Sequence, residues 1–160
     1  MKLLVLAIGR MKGDCQARLV EDYLRRAGPF LRKMGVSAAQ IREFPESRAA
    51  TACARKAEEA GVLRAAAGKN ALFIALDERG ENLGSREFSA RLKKLAASGA
   101  PALAVLIGGP DGLDADLRAE ARLVLSFGAL TWPHRLARVM AAEQIYRAAT
   151  IAANHPYHRD

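Results

Sequence analysis

Cysteine is scarce: Cys15 and Cys53 are the only two in 160 residues. They lie far apart, in no CxxC pattern and with no histidine nearby, so neither a zinc site nor a redox pair is encoded. Both fall in stretches of helical periodicity, which predicts reduced, buried or half-buried thiols and no disulfide. Long apolar runs are missing as well. The opening run from Leu3 to Ile8 is too short for a signal-sequence core or a membrane span, and no later stretch is long enough, so the chain is expected in the cytoplasm. The P-loop lysine, the GxGxxG fingerprint, HExxH and a serine or aspartate partner for any histidine are also absent, which argues against ATP, NAD, a metal centre and a hydrolytic triad. No repeat or low-complexity tract interrupts the sequence.

What is present is the balance of a globular domain. Hydrophobic residues make up 51% and charged ones 26%, enough for one continuous core, and the length suits one domain spanning 1–160. Lys plus Arg number 25 against 17 Asp plus Glu, a formal charge of +8. Such an excess suits a polyanionic partner, although many basic proteins bind no nucleic acid specifically.

The patterning alternates between strands and helices. Leu3 to Ile8, ending at Gly9, reads as a buried strand. A helix follows from Asp14, with Leu19, Val20, Tyr23 and Leu24 on one face and Gly28-Pro29 ending or kinking it. A short strand is expected from Gln40 to Phe44 and a helix from Arg48 to Ala67, stopped by Gly68. Ala71 to Leu76 reads as a strand and Asp77-Glu78-Arg79-Gly80 as a loop. The next helix runs from an N-cap at Ser85 to about Ser98. Pro101 to Ile107 is a third strong strand, Asp114 caps a short helix, Arg122 to Ser126 forms a strand and Phe127 to Pro133 a loop. A long helix closes the chain from His134 to Ala153. Apolar strands separated by helices predict a mainly parallel sheet covered on both faces, with ligand sites at the carboxyl ends of its strands.

Two of the loops at those ends stand out. Gly108-Gly109-Pro110-Asp111-Gly112 could let a ligand approach the backbone closely, or could be a tight structural turn. Phe127 to Pro133 is too apolar to lie bare; it should be covered by a ligand such as an adenine ring or by a second subunit. Arg135 and Arg138, with His134 one turn before the latter, could grip phosphate or form a solvated basic face. The tail residues His155, Tyr157, His158 and Arg159 join a stackable ring, proton carriers and a cation, and could equally be structural.

Leu76-Asp77, Leu-Ile-Gly-Gly-Pro-Asp-Gly at 106–112, Ala-Leu-Thr-Trp-Pro-His at 129–134 and Asn-His-Pro-Tyr-His-Arg at 154–159 together resemble the ribosomal RNA large subunit methyltransferase H family of the SPOUT superfamily. The resemblance covers the whole chain and is weakest from about Ala27 to Ala60. It implies a trefoil-knotted α/β fold, which is rare enough that periodicity alone would favour an ordinary sheet. The knot and cofactor pocket would occupy about residues 70–155. It also implies an obligate homodimer with the active site at the subunit interface. S-adenosylmethionine would sit against Leu76, Gly108 and Phe127, Gly128, Ala129, Leu130, Thr131 and Trp132, mostly through backbone groups.

The implied reaction is methylation of N3 of a pseudouridine in 23S ribosomal RNA on the assembled 70S ribosome, without a metal. His134, His155 and His158 are candidates for taking the N3 proton, Tyr157 for stacking on or orienting the base, and Arg138 or Arg159 for stabilising the anion. Arg135, Arg138 and Arg159 are the expected RNA phosphate contacts. A noncatalytic RNA-binding or ribosome-associated module would bind RNA without the cofactor. A flavodoxin-like protein would bind a flavin or nucleotide regardless of RNA.

Overall fold

A computed structural model describes residues 1–11 and 13–159; Asp160, the end of the tail read above, lies outside the described residues. Five strands, β1 (Lys2–Ile8), β2 (Ala38–Phe44), β3 (Leu72–Glu81), β4 (Ala102–Ile107) and β5 (Leu123–Leu125), form one sheet in the order β2-β1-β4-β3-β5. Every pairing is parallel. Helices α1 (Cys15–Lys33), α3 (Ser85–Ala96) and α5 (His134–Ala152) cover one face; α2 (Ala52–Ala67) and α4 (Ala115–Ala119) cover the other.

The alternation of side chains along a strand explains the two cores. In β1, Leu3, Val5 and Ala7 enter the core under α1, α3 and α5, while Leu4, Leu6 and Ile8 enter the one under α2 and α4. A strand clad on both sides must be apolar throughout, which is why β1 and β4 read as unbroken runs. Burying each such side chain contributes about 1.5–3 kcal/mol.

Four local expectations are corrected. First, α1 does not stop at Gly28-Pro29 but continues to Lys33. Pro29 cannot donate to the carbonyl four residues back, yet Leu31 is fully buried and Phe30 packs on Tyr146 and His155, so tertiary contacts hold the last turn. The stop comes at Gly35, with φ +83°, where Val36 and Gly35 N–H groups donate to Leu31 and Arg32 carbonyls in a Schellman arrangement. Second, residues 77–80 are strand rather than loop, because β3 runs on past an irregularity to Glu81, which pairs with Leu125 of β5. Third, the N-cap of α3 is Gly84; Glu87 accepts from its N–H at 2.9 Å, and the Ser85 hydroxyl turns to Gln144. Fourth, Cys15 and Cys53 are free as expected but exposed rather than buried, each lying at the start of a helix on its outer side.

Candidate active site

The carboxyl ends of β3 and β4 open into a cavity of about 330 Å³. Leu76 and Asp77 line it from β3, Ile107 from β4, and Gly108 to Leu113 from the loop that follows. Phe127, Gly128, Leu130, Thr131 and Trp132 supply the opposite wall, and His134 and Ala137 bring in the first turn of α5. Lys56 reaches it from α2 and Arg118 from α4.

The glycine loop is a turn as well as a wall. Gly112 N–H donates to the Gly109 carbonyl at 2.9 Å across Pro110-Asp111, proline presetting the first central position. A Cβ on Gly108 would lie 2.7 Å from the Gly112 carbonyl carbon, so this strand end accepts no side chain. Asp111 is held from α2 by a two-bond fork, with Arg55 Nε and Nη2 donating to its carboxylate at 2.6 and 3.1 Å. That guanidinium holds the Asp111 carboxyl below the usual carboxylate range.

Asp77 is ionised too. Burial pushes its pKa up, but the Arg79 backbone N–H at 3.0 Å and the Arg118 guanidinium at 2.9 Å outweigh burial and hold it below the ordinary value. It is a fixed acceptor and a weak base.

In the apolar loop, Ser126 Oγ accepts from Gly128 N–H and donates to the Gly128 carbonyl, both at 3.1 Å, while Trp132 Nε1 donates to the Phe127 carbonyl at 3.3 Å. A single chain does not cover this loop: Leu130 is 73% and Trp132 39% exposed. Leu19 and Leu136, on α1 and α5, are exposed as well.

Arg138 is corrected as an RNA contact. Its side chain is 2% exposed; Nη1 donates to Glu43 Oε1 at 2.9 Å and Nη2 to the Ile8 carbonyl. Burial pulls its pKa down, and Glu43 pulls it back up. Glu43 also accepts from the Met11 N–H at 2.9 Å, so the pair ties the ends of β1 and β2 to α5. Such a group cannot reach a phosphate on the outer surface. Arg135 is half-exposed and paired with Asp14, the N-cap of α1.

The tail folds onto α1 and the later turns of α5. Tyr157 donates to Glu143 Oε1 at 3.1 Å, and Arg147 holds the same carboxylate at 2.7 Å. Tyr157 also packs on Tyr146 with ring centroids 4.6 Å apart and lies under the Arg147 guanidinium at 4.9 Å. Burial and the neighbouring Glu143 push the Tyr157 phenol up to about 12. His155 meets the edge of Phe30 at 5.0 Å, and His158 Nδ1 lies 3.4 Å from Arg147. Glu143 and Arg147, which organise this cluster, were not singled out from sequence, although an acid four residues before a base on a helix is a recognisable pair.

Comparison with known proteins settles the family. A family model described as "Predicted SPOUT methyltransferase" matches residues 1–158. The chain belongs to the SPOUT methyltransferase family. Ribosomal RNA large subunit methyltransferase H of Brucella anthropi is 51% identical over 162 residues, 99% of each chain. The protein of that name in Methylocella silvestris is 48% identical over 160 residues, 100% of each. A probable methylase family protein from Haemophilus influenzae shares the fold, with a TM-score of 0.50 at 12% identity over 99% of this chain and 70% of its own.

In this SPOUT chain, Leu76, Gly108, Phe127, Gly128, Leu130, Thr131, Trp132 and His134 gather around the cavity, with Ala129 in the same loop but outside the lining. His155, Tyr157, His158 and Arg159 do not join them. The tail meets α5 at Glu143 and Arg147, roughly 13–20 Å along the helix from His134 at 1.5 Å per residue. The cavity suits an adenosyl group in size and in its apolar walls of Leu76, Ile107, Leu125 and Phe127 beside open backbone groups. Among the described residues no cluster of His, Cys, Asp or Glu could hold a metal ion, and no helix is long and apolar enough to cross a membrane.

Proposed function

We propose that this chain is an S-adenosylmethionine-dependent methyltransferase that modifies N3 of a pseudouridine in 23S ribosomal RNA, on assembled 70S ribosomes in the cytoplasm. The observation that carries the reading is the meeting of the glycine loop 108–112 and the apolar loop 127–132 around one cavity at the carboxyl ends of β3 and β4, in a chain of this family. The two relatives named for large-subunit ribosomal RNA methylation match it from end to end.

Leu76, Gly108 and residues 127–132 would hold the adenosyl group, in the C-terminal half of a single domain whose chain is threaded as a trefoil knot. When bound, the cofactor would supply an electrophilic, sulfonium-activated methyl group. The protein aligns the nucleobase and helps the N3 proton leave. His134, beside the cavity, is the candidate acceptor on the same chain, with His155 and His158 as the tail's candidates. Tyr157 remains protonated at neutral pH and donates a hydrogen bond or stacks rather than acting as a base. Arg159 stabilises the anion and, with Arg135, contacts phosphate.

The distance along α5 between cavity and tail supports a homodimer in which one chain's tail completes its partner's cavity. The exposed Leu19, Leu130, Trp132 and Leu136 would be covered in such an assembly.

The test is transfer of labelled methyl from S-adenosylmethionine to purified 70S ribosomes lacking the modification, with mass spectrometry locating the product. Product at N3 of pseudouridine is the expected result. Cofactor binding without transfer points to another RNA target; RNA binding without cofactor binding replaces the enzyme with a noncatalytic RNA-binding module.

A further inference from the structure

Two of the carboxylates that line the cavity are held by arginines, and one of its cations is held by nothing among the described residues. Asp111 is taken by Arg55, and Asp77 by Arg118. Lys56 lines the same cavity, half-buried on α2 one residue after Arg55, and makes no ion pair or hydrogen bond among the described residues. It lies close enough to Asp111 to help lower that carboxyl's pKa, but Asp111 is already held by the fork from Arg55, so the hydrogen bonds of the Lys56 ammonium remain to be made. A half-buried ammonium that lines a cavity and has no hydrogen-bond partner of its own is suited to an anionic ligand group. Arg79, another cation at the cavity with no side-chain hydrogen bond among the described residues, is exposed and reinforces Asp77.

We infer that Lys56 receives the α-carboxylate of the cofactor's methionine moiety, an assignment that rests on the cofactor reading above. Lys56 comes from α2, which covers one face of the sheet, whereas His134 comes from α5, which covers the other. A ligand held by its carboxylate at Lys56 is therefore anchored on the side of the sheet opposite α5. Its other parts are left to the loop from Phe127 to Trp132. The anchor is a charge contact on a flexible stem, so it discriminates by charge and not by shape.

The test is a double-mutant cycle by titration calorimetry of the full-length protein, with S-adenosylmethionine and its decarboxylated analogue as probes. The analogue keeps the sulfonium and the ammonium and loses only the carboxylate. Wild type is expected to bind the analogue roughly tenfold or more weakly than the cofactor, as befits loss of a charge-assisted contact. In K56Q the two ligands should bind about equally, through a loss confined to S-adenosylmethionine. R79Q should retain the wild-type preference. Equal weakening of both ligands in K56Q, or loss of the preference in R79Q instead, overturns the assignment. So does unchanged cofactor binding in K56Q with weakened ribosome binding, which would make Lys56 a phosphate contact. A wild-type protein that binds neither ligand refutes the cofactor reading itself, and circular dichroism of K56Q separates a binding defect from unfolding.

Discussion

The Arg138–Glu43 pair makes an asymmetric demand on stability. Replacing Glu43 by Leu leaves a guanidinium that is 2% exposed with the Ile8 carbonyl as its hydrogen-bond partner and only Glu46 as a carboxylate acting on it, and a buried charge stripped of its paired counter-ion costs about 3–5 kcal/mol. Replacing Arg138 by Met leaves Glu43, which is 20% exposed, still able to meet water and the Met11 N–H. The cost there should be nearer 2–3 kcal/mol. The double variant E43L/R138M removes both charges and should lose less than the sum of the single losses. The gap should be 1 kcal/mol or more, a coupling typical of contacting residues. At about 2–4 °C per kcal/mol for a chain of this size, the single variants melt roughly 4–20 °C below wild type, E43L the lower of the two. Urea unfolding at neutral pH, fitted for midpoint and slope, reads these differences directly. A loss below about 0.5 kcal/mol in R138M, the value of a surface substitution, would refute the buried role and return Arg138 to the set of RNA contacts.

Three further outcomes are expected. Gly108→Ala should weaken cofactor binding at least tenfold and lower stability, because its Cβ meets backbone at 2.7 Å, whereas Gly61→Ala, with nothing within 4 Å, should stabilise α2 by about 0.5–1 kcal/mol; calorimetry and thermal melts test the pair. Trp132 is the only tryptophan and is 39% exposed, so saturating S-adenosylmethionine should shift its emission to the blue, and a spectrum that does not move would remove this loop from the cofactor site. The folded pKa of Tyr157, about 12, lies above its unfolded value near 10, so its stabilising contribution is full below pH 10 and is lost as pH rises through 12. Absorbance titration of phenolate should show a late step near pH 12 that Y157F deletes, and a single step near 10 would show that the tail does not dock as described.

How much of this was legible in the sequence depended on whether one residue's neighbours decide its state. The unbroken apolar runs of β1 and β4 and the caps Asp14 and Asp114 are local signals, and the structure follows them. Pro29 is a local signal overruled by distant packing of Phe30 and Leu31. The extension of β3 to Glu81 depends on pairing with β5, which no pattern within residues 77–81 contains. Arg138 was legible in principle: it shares a 3–4 residue spacing with the buried Ala141, Ala142, Ile145 and Ala149, which places it on the inward stripe of α5. Its charge concealed that reading. The motif loops could be assigned to one cavity because both follow strands of a parallel sheet. The tail's separation from that cavity depends on the direction of α5, which composition cannot convey. Lys56 carried no signal, since only the folded chain reveals which carboxylates beside it are already taken.

The register of β1 has a consequence for how the protein is made. Lys2 lies opposite Ala102, and Ala7 opposite Ile107, so the first-made of these five strands is an interior strand of the finished sheet yet finds one neighbour only once β4 has been made. Until β4 emerges, β1 can pair with β2 alone, and the cover of its face beneath α5 comes from the last of these five helices. Contacts this distant in sequence make closure slow and late. The pocket, assembled from segments between α2 and α5, cannot exist until α5 has been made. Ligand binding is thus a report that these segments have folded together, and a nascent chain halted before α5 should expose an apolar sheet face that chaperones can recognise.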